Sequence, residues 1–278
     1  MLRTSLAAAV VAIATTAPPT AQGIETGGAL LVTVVDRTNQ PTVNVDAADF
    51  VVSQGDEPRE VLAVRVADYP LVLLLDTAGD VNAIRVAASR FVERVGDRAV
   101  AVITLTDPPV ALASFDDGPA TALARIEEAA PAVTAGRAPL QALAAAAGMI
   151  REAGAPFAAI VLVSASPLED EHIEPPGFLT SFVESRAILH VVTKGMSTAP
   201  AGSGNEAMLR NLANRSGGRH LMIYSSASYQ AALDQLADRL GMELLVEYLA
   251  PSGGVEEGEV RVGVKVPGAR VRGLGIAR

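Results

Sequence analysis

Between residues 69 and 242, continuous apolar stretches alternate with amphipathic segments, and this alternation restricts the possible folds more than any other feature. The stretches "PLVLLLD" at 70–76 and "AAIVLVS" at 158–164 are apolar at successive positions. The segment "VNAIRVAASRFVERV" at 81–95 instead places its apolar residues on one helical face. Strands that are apolar on both sides are typical of a parallel sheet covered by helices. We therefore predict an α/β domain over 69–242, with a mainly parallel central sheet between helices.

The segments on either side of this region are predicted to be rich in β-strands. In the first, 28–66, the apolar residues Leu62, Val64 and Val66 alternate, which predicts a half-buried strand. The second, 243–278, predicts strands separated by a Pro-Gly turn. The termini of an α/β domain often lie close together, so we expect the two flanks to pack against each other as a β-rich accessory module.

Composition excludes several classes of function. The net charge is −9, and nucleic-acid binding needs a basic surface, so we expect no nucleic-acid partner. The chain has no cysteine, which excludes disulfides, thiolate metal sites and a cysteine nucleophile. Half of the residues are apolar, enough for a real core.

The first residues have the layout of a secretory signal peptide. Arg3 precedes an apolar run from Leu6 to Ala14, and small residues follow it. We predict a signal peptide over 1–21, cleaved after Ala21, and a periplasmic or extracellular location. An uncleaved anchor or a disordered tail is the alternative. No second long apolar run exists, so we predict no transmembrane segment in the mature chain.

At this point the sequence resembles a known family. "PLVLLLDTAGD" resembles the first strand and loop of a von Willebrand factor type A domain, and "AMLRNLANRSGGRHLMI" is similar to its late helix and strand. The flanks, "VTVVDRTNQPTVNVDAADFVVSQGDEPREV" and "VEYLAPSGG", resemble those of exported bacterial proteins that carry such a domain. The resemblance covers about residue 30 to the C-terminus. It implies a Rossmann-like fold and a non-enzymatic role in protein–protein interaction.

The resemblance also implies where a divalent cation would bind. The family's adhesion site uses the pattern D-x-S-x-S, then a threonine and an aspartate from later loops. Asp76 matches the first acid, whereas the other four positions carry Ala78, Asp80, Ala138 and Ala165. Alanine has no side-chain oxygen, and Mg²⁺ requires near-octahedral oxygen ligation. We therefore predict a degenerate site that binds no metal, and we expect no cofactor.

Asp76 ends an apolar strand, so its charge needs another source of stabilisation. We predict that the start of the helix near Val81 supplies it through backbone N–H groups and the helix dipole. Asp80 is predicted to be the N-cap of the same helix. Residual cation binding and direct contact with a partner are the alternatives.

Loops at the carboxyl ends of parallel strands usually form the ligand-binding face. Here that face is predicted to be acidic, with Asp76, Asp80 and a cluster made of Glu169, Asp170, Glu171 and Glu174. An acidic face favours a basic partner surface. Alternatively, these acids only keep the loops soluble.

The other polar residues give weaker indications. Ser164 and Ser166 follow a strand as a nucleophile would, but "VSASP" lacks the Gly-x-Ser-x-Gly turn of hydrolases. His172, His190 and His220 are isolated, and His190 is expected to be a satisfied core histidine. The leading hypothesis is an exported, non-enzymatic interaction module that acts through a protein partner. An α/β hydrolase-like enzyme and a structural envelope component remain as alternatives.

Overall fold

The computed structural model describes residues 26–42, 44–131, 138–166, 168, 177–195, 205–250 and 260–277. The predicted signal peptide at 1–21 and the acidic cluster from Glu169 to Glu174 lie outside the described residues. The strands are β1 (Thr26–Val35), β2 (Phe50–Gln54), β3 (Glu57–Arg59), β4 (Val61–Val66), β5 (Leu71–Leu75), β6 (Val100–Thr104), β7 (Ala111–Ala113), β8 (Ala158–Ser164), β9 (Ala187–Lys194), β10 (Arg219–Ile223), β11 (Glu243–Ala250), β12 (Val260–Val264) and β13 (Arg270–Ala277). The helices are α1 (Val81–Val95), α2 (Gly118–Glu128), α3 (Pro139–Ala153), α4 (Phe178–Ser185), α5 (Asn205–Arg215) and α6 (Ser228–Leu240).

The central sheet has six strands in the order β10-β9-β8-β5-β6-β7. All neighbouring strands are parallel except β7, which pairs with β6 in the antiparallel direction at one edge. Every residue of β5 and β8 is buried, because helices cover both faces of the sheet. The mainly parallel α/β sheet predicted from the sequence is confirmed.

Two apolar layers enclose this sheet. On one face, α1, α2 and α6 pack against Leu71, Leu73 and Leu75 of β5. On the other face, α3, α4 and α5 pack against Val72 and Leu74. Helix α2, whose buried residues are Ala122 and Ile126, is absent from the sequence-based prediction.

The flanks form two further antiparallel sheets. One has the order β13-β1-β11-β4, and the other has the order β12-β2-β3. Leu30 and Val32 of β1, Val52 of β2 and Tyr248 of β11 belong to one apolar cluster between the two sheets. Strand β1 pairs with β11 on one side and with β13 on the other, and both strands lie more than two hundred residues further along the chain.

The four-stranded sheet packs against one end of the α/β domain. Leu31 of β1 and Leu245 of β11 share an apolar cluster with Tyr69 and Phe157, which precede β5 and β8. These contacts lie at the amino ends of the central strands. The carboxyl ends, where the candidate site lies, are at the opposite end of the sheet.

One predicted strand face is wrong. Leu62 and Val66 are exposed, at 48% and 56%, although their alternation with Val64 predicted a half-buried face. The pairing of β4 with β11 shifts register between Glu247 and Tyr248, so that Leu62 has no partner residue opposite it. Such a bulge changes the direction of the side chains on one part of a strand. In the described ranges, no helix is both long and apolar enough to cross a bilayer.

Candidate functional site

The candidate site lies at the carboxyl ends of the central parallel strands, which meet at one edge of the sheet. We call this surface the carboxyl-end face and define it by residues that end or directly follow four of the strands. These are 76–80 after β5, 165–166 after β8, Lys194 at the end of β9 and 224–226 after β10.

Asp76 is 1% exposed and is held by donors from two of these loops. Its Oδ1 accepts the backbone N–H of Ala78 at 2.9 Å. Its Oδ2 accepts the backbone N–H of Ala165 at 3.0 Å and lies 3.0 Å from the hydroxyl of Ser164. Hydrogen bonds of this kind stabilise a buried carboxylate. These three donors come from the loop before α1 and from the end of β8 rather than from α1 itself, and stabilisation of Asp76 by the helix dipole stays a prediction.

Asp80 immediately precedes α1, as predicted, but its side chain makes no capping hydrogen bond. Instead, its Oδ2 lies 2.5 Å from the ammonium of Lys194 and accepts a hydrogen bond from the hydroxyl of Ser226 at 2.7 Å. The ammonium also lies 3.1 Å from the Ser226 hydroxyl. These contacts, first with Lys194 and then with Ser226, lower the pKa of Asp80. Asp80 therefore occupies the N-cap position, as predicted, but its carboxylate binds Lys194 and Ser226 instead of capping the helix N–H groups.

Tyr229 of α6 lies close to both acids. It is fully buried, and its hydroxyl donates to the carbonyl of Ser164 at 2.8 Å. Burial raises the pKa of Tyr229, and the negative charges of Asp80 and Asp76 raise it further. The tyrosine thus stays a neutral hydrogen-bond donor and links α6 to the end of β8.

The loops that carry the predicted cation ligands do come together. A Cβ on Gly79 would lie 3.0 Å from the Cβ of Ala165, so these two loops touch. Ala138 donates its N–H to the carbonyl of Leu105, and the N–H of Leu105 donates to Leu75 at the end of β5. The loops that carry these positions therefore lie next to one another at this end of the sheet.

The side chains, however, do not fit a divalent cation. Ala78, Ala138 and Ala165 present methyl groups where oxygen ligands are needed. Asp80 is engaged by an ammonium. Among the described residues, no group of three or more His, Cys, Asp or Glu side chains is arranged to hold a metal ion.

Ser164 and Ser166 of the enzyme hypothesis lie at this site, but none of the described histidines joins them. His190 is 1% exposed in the middle of β9, and burial lowers its pKa to about 3. Neither of its ring nitrogens has a hydrogen-bond partner in the described part of the chain, so the expectation of a satisfied histidine is wrong. His220 lies 3.8 Å from Glu206, and His172 is outside the described residues. Ser164 is fully buried.

Lys194 and Ser226 were not identified by sequence reasoning. Lys194 is one of two lysines in the chain and directly follows the apolar run "AILHVVT". A charged residue at the end of a buried strand was the same signal that identified Asp76. Ser226 lies in a serine-containing turn that has no such signal.

The comparisons with known proteins concern the fold. No protein-family model matches the sequence, and no curated protein matches it either. A von Willebrand factor type A protein from Catenulispora acidiphila superimposes with a TM-score of 0.52, at 15% identity, over 85% of this chain and 74% of its own. Proximal thread matrix protein 1 from the mussel byssus superimposes with a TM-score of 0.51, at 10% identity, over 62% of this chain and 48% of its own.

These similarities, together with the strand order and the helices on both faces, show a von Willebrand factor type A-like fold. The resemblance seen in the sequence is thus confirmed for the fold. Identities of 15% and below do not extend to activity or partners.

Proposed function

We propose that this chain is an exported, non-enzymatic module that binds a protein partner through the carboxyl-end face without a divalent cation. Domains with a von Willebrand factor type A-like fold are generally protein-interaction modules. The proposal extends that general role to this chain.

One observation carries the metal-independent part of the proposal. Both carboxylates at the face are already compensated by groups of the protein itself. Asp76 accepts backbone N–H groups from Ala78 and Ala165, and Asp80 contacts the ammonium of Lys194. A buried or half-buried acid that has such partners does not need a metal ion to neutralise it.

The chemistry of the partner follows from the charges near the face. With Asp80 neutralised by Lys194, the acidic cluster of Glu169, Asp170, Glu171 and Glu174 would determine the sign of the face. We propose that it attracts a basic partner surface and that salt weakens this attraction.

Calorimetry of the chelator-treated protein with Mg²⁺, Mn²⁺ or Ca²⁺ tests metal independence. We expect no stoichiometric heat of binding at millimolar concentrations or below. A tight site that Asp76→Ala abolishes would contradict the proposal. A variant with Ala78→Ser, Asp80→Ser, Ala138→Thr and Ala165→Asp supplies a matched comparison, because it restores the oxygen ligands.

Partner binding is tested with the mature protein immobilised and exposed to its native envelope fraction. Retention of a partner in the presence of a chelator is expected, as is its loss when the four acids from Glu169 to Glu174 are neutralised. Undiminished capture by the neutralised variant would exclude the acidic cluster as the binding surface.

Export and the absence of catalysis have separate tests. The intact mass of the exported protein should correspond to a chain that begins at Gln22, and a mass that retains residues 1–21 would contradict the signal-peptide prediction. A fluorophosphonate probe should leave the protein unlabelled, because labelling requires an activated serine. Labelling lost on Ser164→Ala or Ser166→Ala would favour a hydrolase instead.

A further inference from the structure

We propose that the groove between α4 and β13 binds an extended, acidic segment of a partner protein, which adds a strand to the free edge of β13. This groove lies at the amino ends of the central strands, away from the carboxyl-end face. It would therefore be a second docking surface, independent of the one proposed above.

The groove has a volume of about 560 Å³ and is lined mainly by apolar side chains. Phe157 and Ile188, near the starts of β8 and β9, contribute to its lining. Phe182 and Val183 of α4 and Leu274 of β13 line its sides. A Cβ on residue 275 would lie 3.0 Å from the ring of Phe157, so glycine at this position lets β13 approach the domain closely.

Apolar side chains are exposed to solvent along this groove. Leu179 and Val183 are 43% and 69% exposed, and Ile276 on the opposite wall is 43% exposed. Single exposed apolar residues are ordinary, whereas several that line one groove mark an interaction site.

Strand β13 offers a backbone edge beside these side chains. In the described part of the chain, β13 pairs only with β1, and it is the outermost strand of its sheet. Edge strands are commonly protected by charged residues, yet residues 273–277 of β13 carry none. An unpaired edge next to an apolar groove suits an extended peptide, whose backbone pairs with the strand and whose alternate side chains enter the groove.

The charges at the groove select an acidic occupant. Arg186, which follows α4, and Arg215, at the end of α5, both line it and are exposed. Neither guanidinium has an ion pair or a hydrogen bond within the described ranges, and no acidic side chain lines the groove. Guanidinium groups bind carboxylates well, so the complementary segment carries Asp or Glu among its apolar residues.

Selection from a display library of random short peptides tests this proposal. The wild-type protein is the bait, and the Val183→Asp variant serves for counter-selection. We expect enriched peptides in which apolar residues alternate with others and in which acids outnumber bases. No enrichment over the variant, or enrichment of basic peptides, would overturn the proposal.

The most enriched peptide is then titrated, with a fluorescent label, against a set of variants. Val183→Asp should weaken binding at least about tenfold, because a charge would face the apolar wall. The double variant Arg186→Gln with Arg215→Gln should weaken it roughly three- to tenfold and reduce its salt dependence. Val86→Asp is the matched control, since Val86 is 64% exposed on α1, outside the groove. Equal binding by Val183→Asp and Val86→Asp would refute the assignment.

Two further results distinguish this groove from the alternatives. Asp80→Asn should leave peptide binding unchanged, so failure of the carboxyl-end face as a binding site would not affect this result. Sedimentation of the protein alone should show a monomer. A dimer that Val183→Asp dissociates would instead assign the groove to a second copy of the chain.

Discussion

The contact between Lys194 and Asp80 permits a quantitative test of the arrangement on which the proposed function depends. The ammonium and the carboxylate are 2.5 Å apart, and each side chain is 30% exposed. Exposed ion pairs contribute about 0.2–1 kcal/mol, whereas breaking a buried pair costs about 3–5 kcal/mol. At this intermediate exposure, and with Ser226 still donating to Asp80, we expect Lys194→Met to lower the free energy of unfolding by about 1–2 kcal/mol.

A double-mutant cycle isolates the pair itself. Unfolding by urea, followed by far-UV circular dichroism, is measured for wild type, Lys194→Met, Asp80→Asn and the combined variant. The coupling energy should be about 1 kcal/mol at pH 7. Lys265→Met is the matched control, because the ammonium of Lys265 donates to the Ala48 carbonyl and pairs with no carboxylate among the described residues.

The pH dependence of this coupling has a definite sign. The pKa of Asp80 is lowered in the folded protein, first by the hydrogen bond with Lys194, so the pair stabilises the fold above the unfolded value of 3.8. That stabilisation is lost as the pH falls below 3.8 and through the folded pKa, so the coupling energy should decrease over this acidic range. A coupling energy at pH 7 of less than about 0.3 kcal/mol would refute the view that Lys194 compensates Asp80.

Other predictions concern the core and the flanks. The pKa of His190 is lowered to about 3, so only the unfolded imidazole takes up a proton between pH 7.5 and pH 5. The free energy of unfolding of wild type should therefore fall by about 2 kcal/mol relative to that of His190→Leu over this range. The same pH dependence for both proteins in urea unfolding would contradict this. Burial raises the pKa of Glu243, so the unfolded carboxyl ionises at a lower pH than the folded one. The melting temperature of wild type should therefore fall relative to that of Glu243→Gln as the pH rises above about 4.5. Gly218→Ala should prevent folding or lower the melting temperature severely, because the new Cβ would lie 1.8 Å from the carbonyl oxygen of Leu189. Circular dichroism measures both the secondary structure and the melting temperature of this variant. Deleting residues 252–278 removes one of the two partner strands of β1 and one of the two of β2, so hydrogen exchange in both should accelerate. Unchanged exchange would show that the flanks fold independently.

Much of the fold could be predicted because local sequence patterns report burial directly. The continuous apolar run from Leu71 to Leu75 is typical of a strand in a sheet covered on both faces, and it forms the fully buried strand β5. The apolar face of α6, with Tyr229 and Leu233, likewise followed from helical periodicity. Helix α2, which buries Ala122 and Ile126, was not predicted from the sequence.

The sequence by itself determined the α/β class and the position of Asp76 at the end of a buried strand, because both depend on local composition or periodicity. The loss of oxygen ligands at Ala78, Ala138 and Ala165 is what the resemblance to the von Willebrand factor type A family implies. Only the tertiary structure decided which groups stabilise the two acids. Lys194 lies 114 residues from Asp80, and Ala165 lies 89 residues from Asp76. Contacts over such separations depend on strand order, since parallel strands bring their carboxyl ends to one edge whatever their distance in the chain. The groove beside β13 has the same origin, because residues of α4, α5 and β13, which are far apart in the sequence, line it together.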